Sequence, residues 1–227
     1  MPGTRSVPSL TERRKMQTQV DISHHAAELF SRRGASAVTA EEIAAASGIG
    51  LRTFYRYFRT KEDAVSPLLA GGVTTWIDYL TEEAERAGED GPDSAARPLA
   101  HALERATRRA LTPSGDVSEE MLQWTRGLLR TVRSEPGLQA VWLRVQHDSE
   151  EGLVAAIGPL MGPDADPLTV RLVAASANAA MRVAVETWAA SDAPTSGPGG
   201  PAELAVDCMR RLVEQVRSGM SPTPGNV

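Results

Sequence analysis

Residues 39–58 constrain the fold more than any other stretch of this 227-residue chain. Thr39-x-x-Glu42 is a capping box, in which two side chains satisfy each other's exposed amides at a helix start. Ile43 and Ala44 continue that helix, and Gly48-Ile49-Gly50 stops it beyond about Ala46. The next eight residues, Leu51-Arg52-Thr53-Phe54-Tyr55-Arg56-Tyr57-Phe58, hold four of the chain's ten aromatics. Phe54 and Phe58 stand at i and i+4 and therefore share a face. Two helices this short need a third to rest on. Ser9-x-x-Glu12 opens that third helix with another capping box. Ile22, Ala26, Leu29 and Phe30 give it one buried stripe at i, i+4, i+7 and i+8. Arg32-Arg33-Gly34 closes it, with cations in the last turn and glycine beyond. Residues 9–63 thus read as a compact three-helix unit.

The rest is helical as well. No sustained period-two alternation of β-branched residues occurs, and Ala, Leu, Arg and Glu dominate. Caps and turns predict an all-α chain of about nine helices. Thr60-x-x-Asp63 caps a fourth helix to about Ala87, in which Pro67 predicts a kink that could serve as a hinge. Helices follow over about 94–111, 116–133 (opened by Asp116-x-x-Glu119), 136–160 (with Pro136 first), 166–190 (capped by Asp166) and 202–217. Residues 1–8 and 219–227 read as tails, and 64–218 as one larger helical body. No run of about 18 apolar residues predicts a membrane span. The N-terminus lacks a signal-peptide pattern, and the single cysteine, Cys208, fits a reducing compartment, so the expected location is cytoplasmic.

The first unit reads as a helix-turn-helix, whose second helix enters the DNA major groove. With Phe54 and Phe58 turned inward, Arg52, Thr53, Tyr55 and Arg56 face outward. Arginine can bridge guanine O6 and N7, threonine can meet a thymine methyl or a phosphate, and tyrosine hydroxyls donate to phosphates. The net charge of -5 argues against a nucleic-acid binder only until it is divided. Residues 1–63 carry ten Lys and Arg against seven Asp and Glu; residues 64–227 carry fourteen against twenty-two. The head is +3 and the body -8.

Three blocks in order resemble the TetR family of bacterial transcriptional repressors: Ala26-Ala27-Glu28-Leu29-Phe30-Ser31-Arg32-Arg33-Gly34, Val38-Thr39-Ala40-Glu41-Glu42-Ile43-Ala44 and Phe54-Tyr55-Arg56-Tyr57-Phe58-Arg59-Thr60-Lys61-Glu62. The resemblance spans about residues 15–65. It implies a homodimer that binds a near-palindromic double-stranded DNA operator and releases it when a small-molecule inducer enters the helical body. It also implies roles. Thr39, Tyr55 and Tyr57 match phosphate-contacting positions. Leu51, Arg52, Thr53 and Arg56 match positions that face bases or nearby backbone. Lys61 matches a phosphate-binding lysine. Gly50 departs from the family, because it caps the recognition helix without offering a hydroxyl.

In the body, Trp76, Tyr79, Leu103 and Met121 are candidate pocket residues, as are Trp124, Trp142, His147 and Met181, although residues of these types are more often core or structural than pocket. Ala177, Ala180, Ala184 and Trp188 recur on one helix, and Leu204, Cys208 and Leu212 on the last. Together they suit a four-helix dimer interface. Catalysis is the rival class. No nucleophile with a base, carboxylate pair, metal cluster or phosphate loop has supporting spacing, so no enzyme, metal or cofactor is expected. A constitutive DNA-binding dimer without a ligand remains the alternative to an inducible one.

Overall fold

A computed structural model describes residues 9–89, 98–114 and 118–220, without the side chains of 89, 98 and 216–220. Among the described residues every regular element is helical. In order they are α1 (Leu10–Arg33), α2 (Ala40–Ala46), α3 (Leu51–Tyr57), a 3-10 turn (Glu62–Val65), α4 (Ser66–Glu89), α5 (Pro98–Leu111) and α6 (Glu119–Val132). They continue with α7 (Pro136–Asp148), α8 (Glu150–Met161), α9 (Pro167–Ala190) and α10 (Pro201–Met220). The tail at 1–8, the Asp116 cap and the start expected for the fifth helix lie outside the described residues, as does 221–227. Residues 219–220 continue α10.

The helix starts follow their caps. Ser9 and Thr39 form complete capping boxes with Glu12 and Glu42. Ser118 and Asp166 accept from the backbone of Met121 and Thr169. Gly34, at φ 76°, ends α1 and returns its N–H to the Phe30 carbonyl, a left-handed conformation that glycine adopts without strain.

Two expectations are corrected. Pro67 does not kink a helix interior. The segment after Thr60 begins as a 3-10 turn, and Pro67 is the second residue of α4. An N–H is unpaired in a first helical turn anyway, so proline costs little there. The helix expected over 136–160 is two, meeting at Ser149, so the described residues hold ten α-helices. Ser149 ends α7 and precedes α8, and its hydroxyl bonds back to the Gln146 carbonyl.

One buried core runs from Ile22 in α1 to Met209 in α10. The head rests on the body mainly where α1 crosses α6. Gly127 permits that crossing, because a Cβ there would collide with the Cβ of Ser31. Arg126 and Arg130 on α6 reach the loop after α9. Arg130 Nε donates to Ala189 O at 2.7 Å and Nη2 to Ser191 O at 2.7 Å. Arg126 lies 4.1 Å from the Trp188 ring and donates to Ala193 O.

α9 contains an 18-residue window of mean hydropathy 1.3, long and apolar enough to cross a bilayer by composition. One face of it packs in the core of this protomer. Val173, Ala174, Ala177 and Ala184 are buried against neighbouring helices, and buried Asn178 donates to the Gln146 carbonyl at 2.9 Å.

Candidate nucleic-acid interface and interior cavity

α3 presents two distinct faces. Phe54 and Phe58 are buried, with ring centroids 5.5 Å apart, in the core that holds Ile22, Phe30 and Ile43. On the other side Arg52, Tyr55 and Arg56 are exposed, and Leu51, Thr53 and Tyr57 are half-buried at its edge. Tyr55 is 52% exposed, unusual for a large aromatic that nothing covers. The Arg56 guanidinium lies 5.3 Å from the Tyr57 ring. No carboxylate among the described residues pairs with Arg52, Arg56 or Arg59. Their charges are available to an external anion. Arg33, by contrast, is already held by Glu42 at 2.8 Å and the Ala37 carbonyl at 2.8 Å.

Thr39 and Lys61 flank this face. Thr39 Oγ1 accepts from Glu42 N at 3.2 Å, so its hydroxyl proton remains free to donate. The Thr39 backbone N–H and Arg33 together hold the Glu42 carboxyl below its usual pKa. Lys61 Nζ donates to Ala35 O at 2.7 Å and Val38 O at 2.8 Å. The Glu62 carboxylate lies 3.9 Å from the same ammonium, whose third proton neither carbonyl takes. No local pattern marks this clamp, because the carbonyls lie 26 and 23 residues away.

Among the described residues, polar and ring contacts join head to body at several points. Ser23 Oγ accepts from Leu68 N at 3.1 Å. Glu135 Oε1 accepts from Ser36 Oγ at 3.0 Å and Ser36 N at 3.2 Å. Arg144 pairs with Asp63 at 2.5 Å. The His24 ring lies 4.8 Å from that of Trp124.

Inside the body, α4, α5, α6, α7 and α9 enclose a cavity of about 80 Å³. Four expected pocket residues line it: Trp76, Met121, Trp142 and Met181. The other four do not. Tyr79 and Leu103 are buried core, with Arg109 3.7 Å over the Tyr79 ring. Trp124 turns to His24. His147 is exposed, 3.8 Å from Glu150. No charged side chain lines the cavity. Both indole N–H groups are used elsewhere, Trp76 on Thr107 Oγ1 at 3.2 Å and Trp142 on Glu186 Oε1 at 2.6 Å. Gln146 also lines the cavity and was missed. Its signal was a polar residue one turn after Trp142 on an otherwise apolar stripe.

The expected dimer positions divide. Ala177, Ala184 and Trp188 are buried within the protomer; they face its own core, which corrects their assignment to an outer surface. The helical period was right and the face was wrong. Ala180 on α9 and Leu204, Cys208 and Leu212 on α10 are half-buried. The outward stripe of α9 is Leu168, Leu172, Ala175, Ala179 and Val183, with Leu168 and Leu172 74% and 65% exposed.

Comparison with known proteins decides the family. Residues 22–65 match the family described as bacterial regulatory proteins of the tetR family, and residues 101–221 match the MftR C-terminal domain. The chain is 31% identical over 197 residues to the HTH-type transcriptional regulator TcmR of Streptomyces glaucescens, covering 82% of this chain and 81% of that protein. This chain belongs to the TetR family. As a TetR-family transcription regulator it shares its fold with solved structures of low identity. A TetR-family regulator from Syntrophomonas wolfei superposes with a TM-score of 0.60 at 16% identity, over 91% of this chain and 98% of that one. Thermus thermophilus FadR, in complex with lauroyl-CoA, gives 0.51 at 21% identity, over 92% and 100%.

Proposed function

We propose that this TetR-family protein is a homodimeric repressor that releases its operator when a small molecule occupies the body. The observation that carries the reading is the outward face of α3, where unpaired Arg52 and Arg56 flank exposed Tyr55. Two copies related by a two-fold axis place this helix in successive major grooves, about 34–36 Å apart. Thr39, Tyr57 and the third proton of Lys61 go to phosphates; Leu51, Arg52, Thr53 and Arg56 go to bases or adjoining backbone. Two-fold pairing follows α9. Its Leu168–Val183 stripe is apolar and exposed, and it leaves water only against a second copy, with half-buried Leu204, Cys208 and Leu212 of α10 beside it.

Induction follows from the cavity's size. At about 80 Å³ it is far below the roughly 300–1,000 Å³ of ordinary ligand sites. An occupant of ordinary size therefore extends through the open side of the cavity or displaces a wall. α6 supplies Met121, Leu122 and Thr125 to that wall, and it carries Gly127 against Ser31 of the head. A ligand that favours the displaced arrangement changes the separation of the two recognition helices. Its leverage equals its differential affinity for the two states.

Operator selection with purified protein, followed by addition of candidate metabolites, tests the reading. The expected result is one near-palindromic site lost on ligand addition. A selected site that no cavity-binding compound releases would instead support a constitutive binder.

A further inference from the structure

One residue that lines the cavity, Gln146, carries an orphaned acceptor, and Asn178, bonded to its backbone, carries another outside the lining. Gln146 is 7% exposed and Asn178 6%. Gln146 Oε1 and Asn178 Oδ1 are buried without a hydrogen-bond partner. The orientation of Asn178 is fixed, because its Nδ2 donates to the Gln146 carbonyl at 2.9 Å. Buried carbonyl oxygens normally find a donor, and each left alone carries a desolvation penalty. The neighbouring indoles cannot supply one, since both N–H groups are already engaged. Apart from Gln146 and the hydroxyls of Thr75, which donates to Gly71 O, and Thr125, the lining is apolar, with aromatic walls at Trp76 and Trp142 and no cation or carboxylate.

We infer that the part of the ligand enclosed here is uncharged and mostly apolar, and carries one hydrogen-bond donor, a hydroxyl or N–H, directed at Gln146 Oε1. This rests on the cavity's being the ligand site. A carboxylate would be buried with no cation and would face a carbonyl oxygen, so charge and dipole both reject it. A simple acyl chain fits the walls but leaves Gln146 Oε1 unpaired. Sites that expect a donor discriminate strongly against analogues lacking it.

Four one-ring probes test this by isothermal titration at pH 7, where phenol is neutral and benzoate ionised. Phenol offers the donor, toluene replaces it with a methyl, benzaldehyde only accepts, and benzoate is charged. The full-length protein is expected to bind phenol at least fivefold more tightly than toluene or benzaldehyde, and benzoate not at all. In Gln146→Leu the order of phenol and toluene reverses, and the Tm of the ligand-free protein rises because a buried acceptor is gone. Toluene binding as tightly as phenol, lost in the cavity-filling Thr125→Trp, would overturn the donor inference and leave the cavity as the ligand site. Binding of none of the four probes would overturn both. A lower Tm in Gln146→Leu would show that Oε1 already has a partner.

Discussion

Arg52 and Lys61 are both cations beside the α3 face, and they do different work. Arg52 has no carboxylate partner among the described residues, so its guanidinium is held ready for DNA. Arg52→Ala is expected to cost about 1–3 kcal/mol of operator affinity and to relax preference at one base pair; binding measured across single-base operator variants checks this. A uniform loss across all variants would assign Arg52 to the backbone. Lys61 already supports two carbonyls of the α1–α2 loop. Lys61→Met strands Ala35 O and Val38 O, and is expected to lower stability by about 1–3 kcal/mol in denaturant unfolding without DNA present. Glu42 adds a pH dependence. Its pKa is lowered in the folded chain, first by the Thr39 N–H and then by Arg33. Its contribution is therefore present above the unfolded carboxylate range and lost as pH falls through the folded value. In Glu42→Gln that part of the acid-side slope of stability is expected to vanish.

Among the elements, α9 was legible in period and misread in direction. Val173, Ala177, Ala184 and Trp188 share a face in any helical reading, but small residues suit close approach to a neighbour within the protomer as well as across a dimer. Only the packing shows which stripe is left outside. That stripe predicts that Leu172→Glu weakens self-association at least tenfold, about 1.4 kcal/mol, seen as monomer by sedimentation at concentrations where the parent is dimeric. The division at Ser149 carried a local signal, the polar run Gln146–Glu151 with Gly152 beyond it, but helical apolar spacing resumes at Leu153 and hides the break. The recognition helix could be read almost completely, because the Phe54–Phe58 spacing, the glycine turn and the Thr39 box are all local signals. The Lys61 clamp, the Ser36–Glu135 bond and the Gln146 acceptor join residues far apart in sequence, and no window of sequence contains them.

At the scale of the molecule, the division of charge places the basic residues where α3 can meet phosphates and the acidic excess in the body. Operator affinity is expected to fall with salt at a slope of about -0.9 per phosphate neutralised. Replacing one phosphate-contacting side chain should reduce that slope by about one. α6 joins the parts that must communicate. Met121, Leu122 and Thr125 line the cavity, Trp124 and Gly127 meet α1, and Arg126 and Arg130 hold the loop leading to α10. Ten consecutive residues thus address three neighbours in three directions around one axis. Each residue turns a helix by about 100°. Deleting a single residue between 122 and 129 would leave the composition of α6 almost intact, yet point the cavity-lining, head-facing and loop-holding side chains each at the wrong neighbour. A change that keeps the length of α6 is therefore expected to be tolerated better than one that shifts its register, because the register sets which part of the protein answers to which.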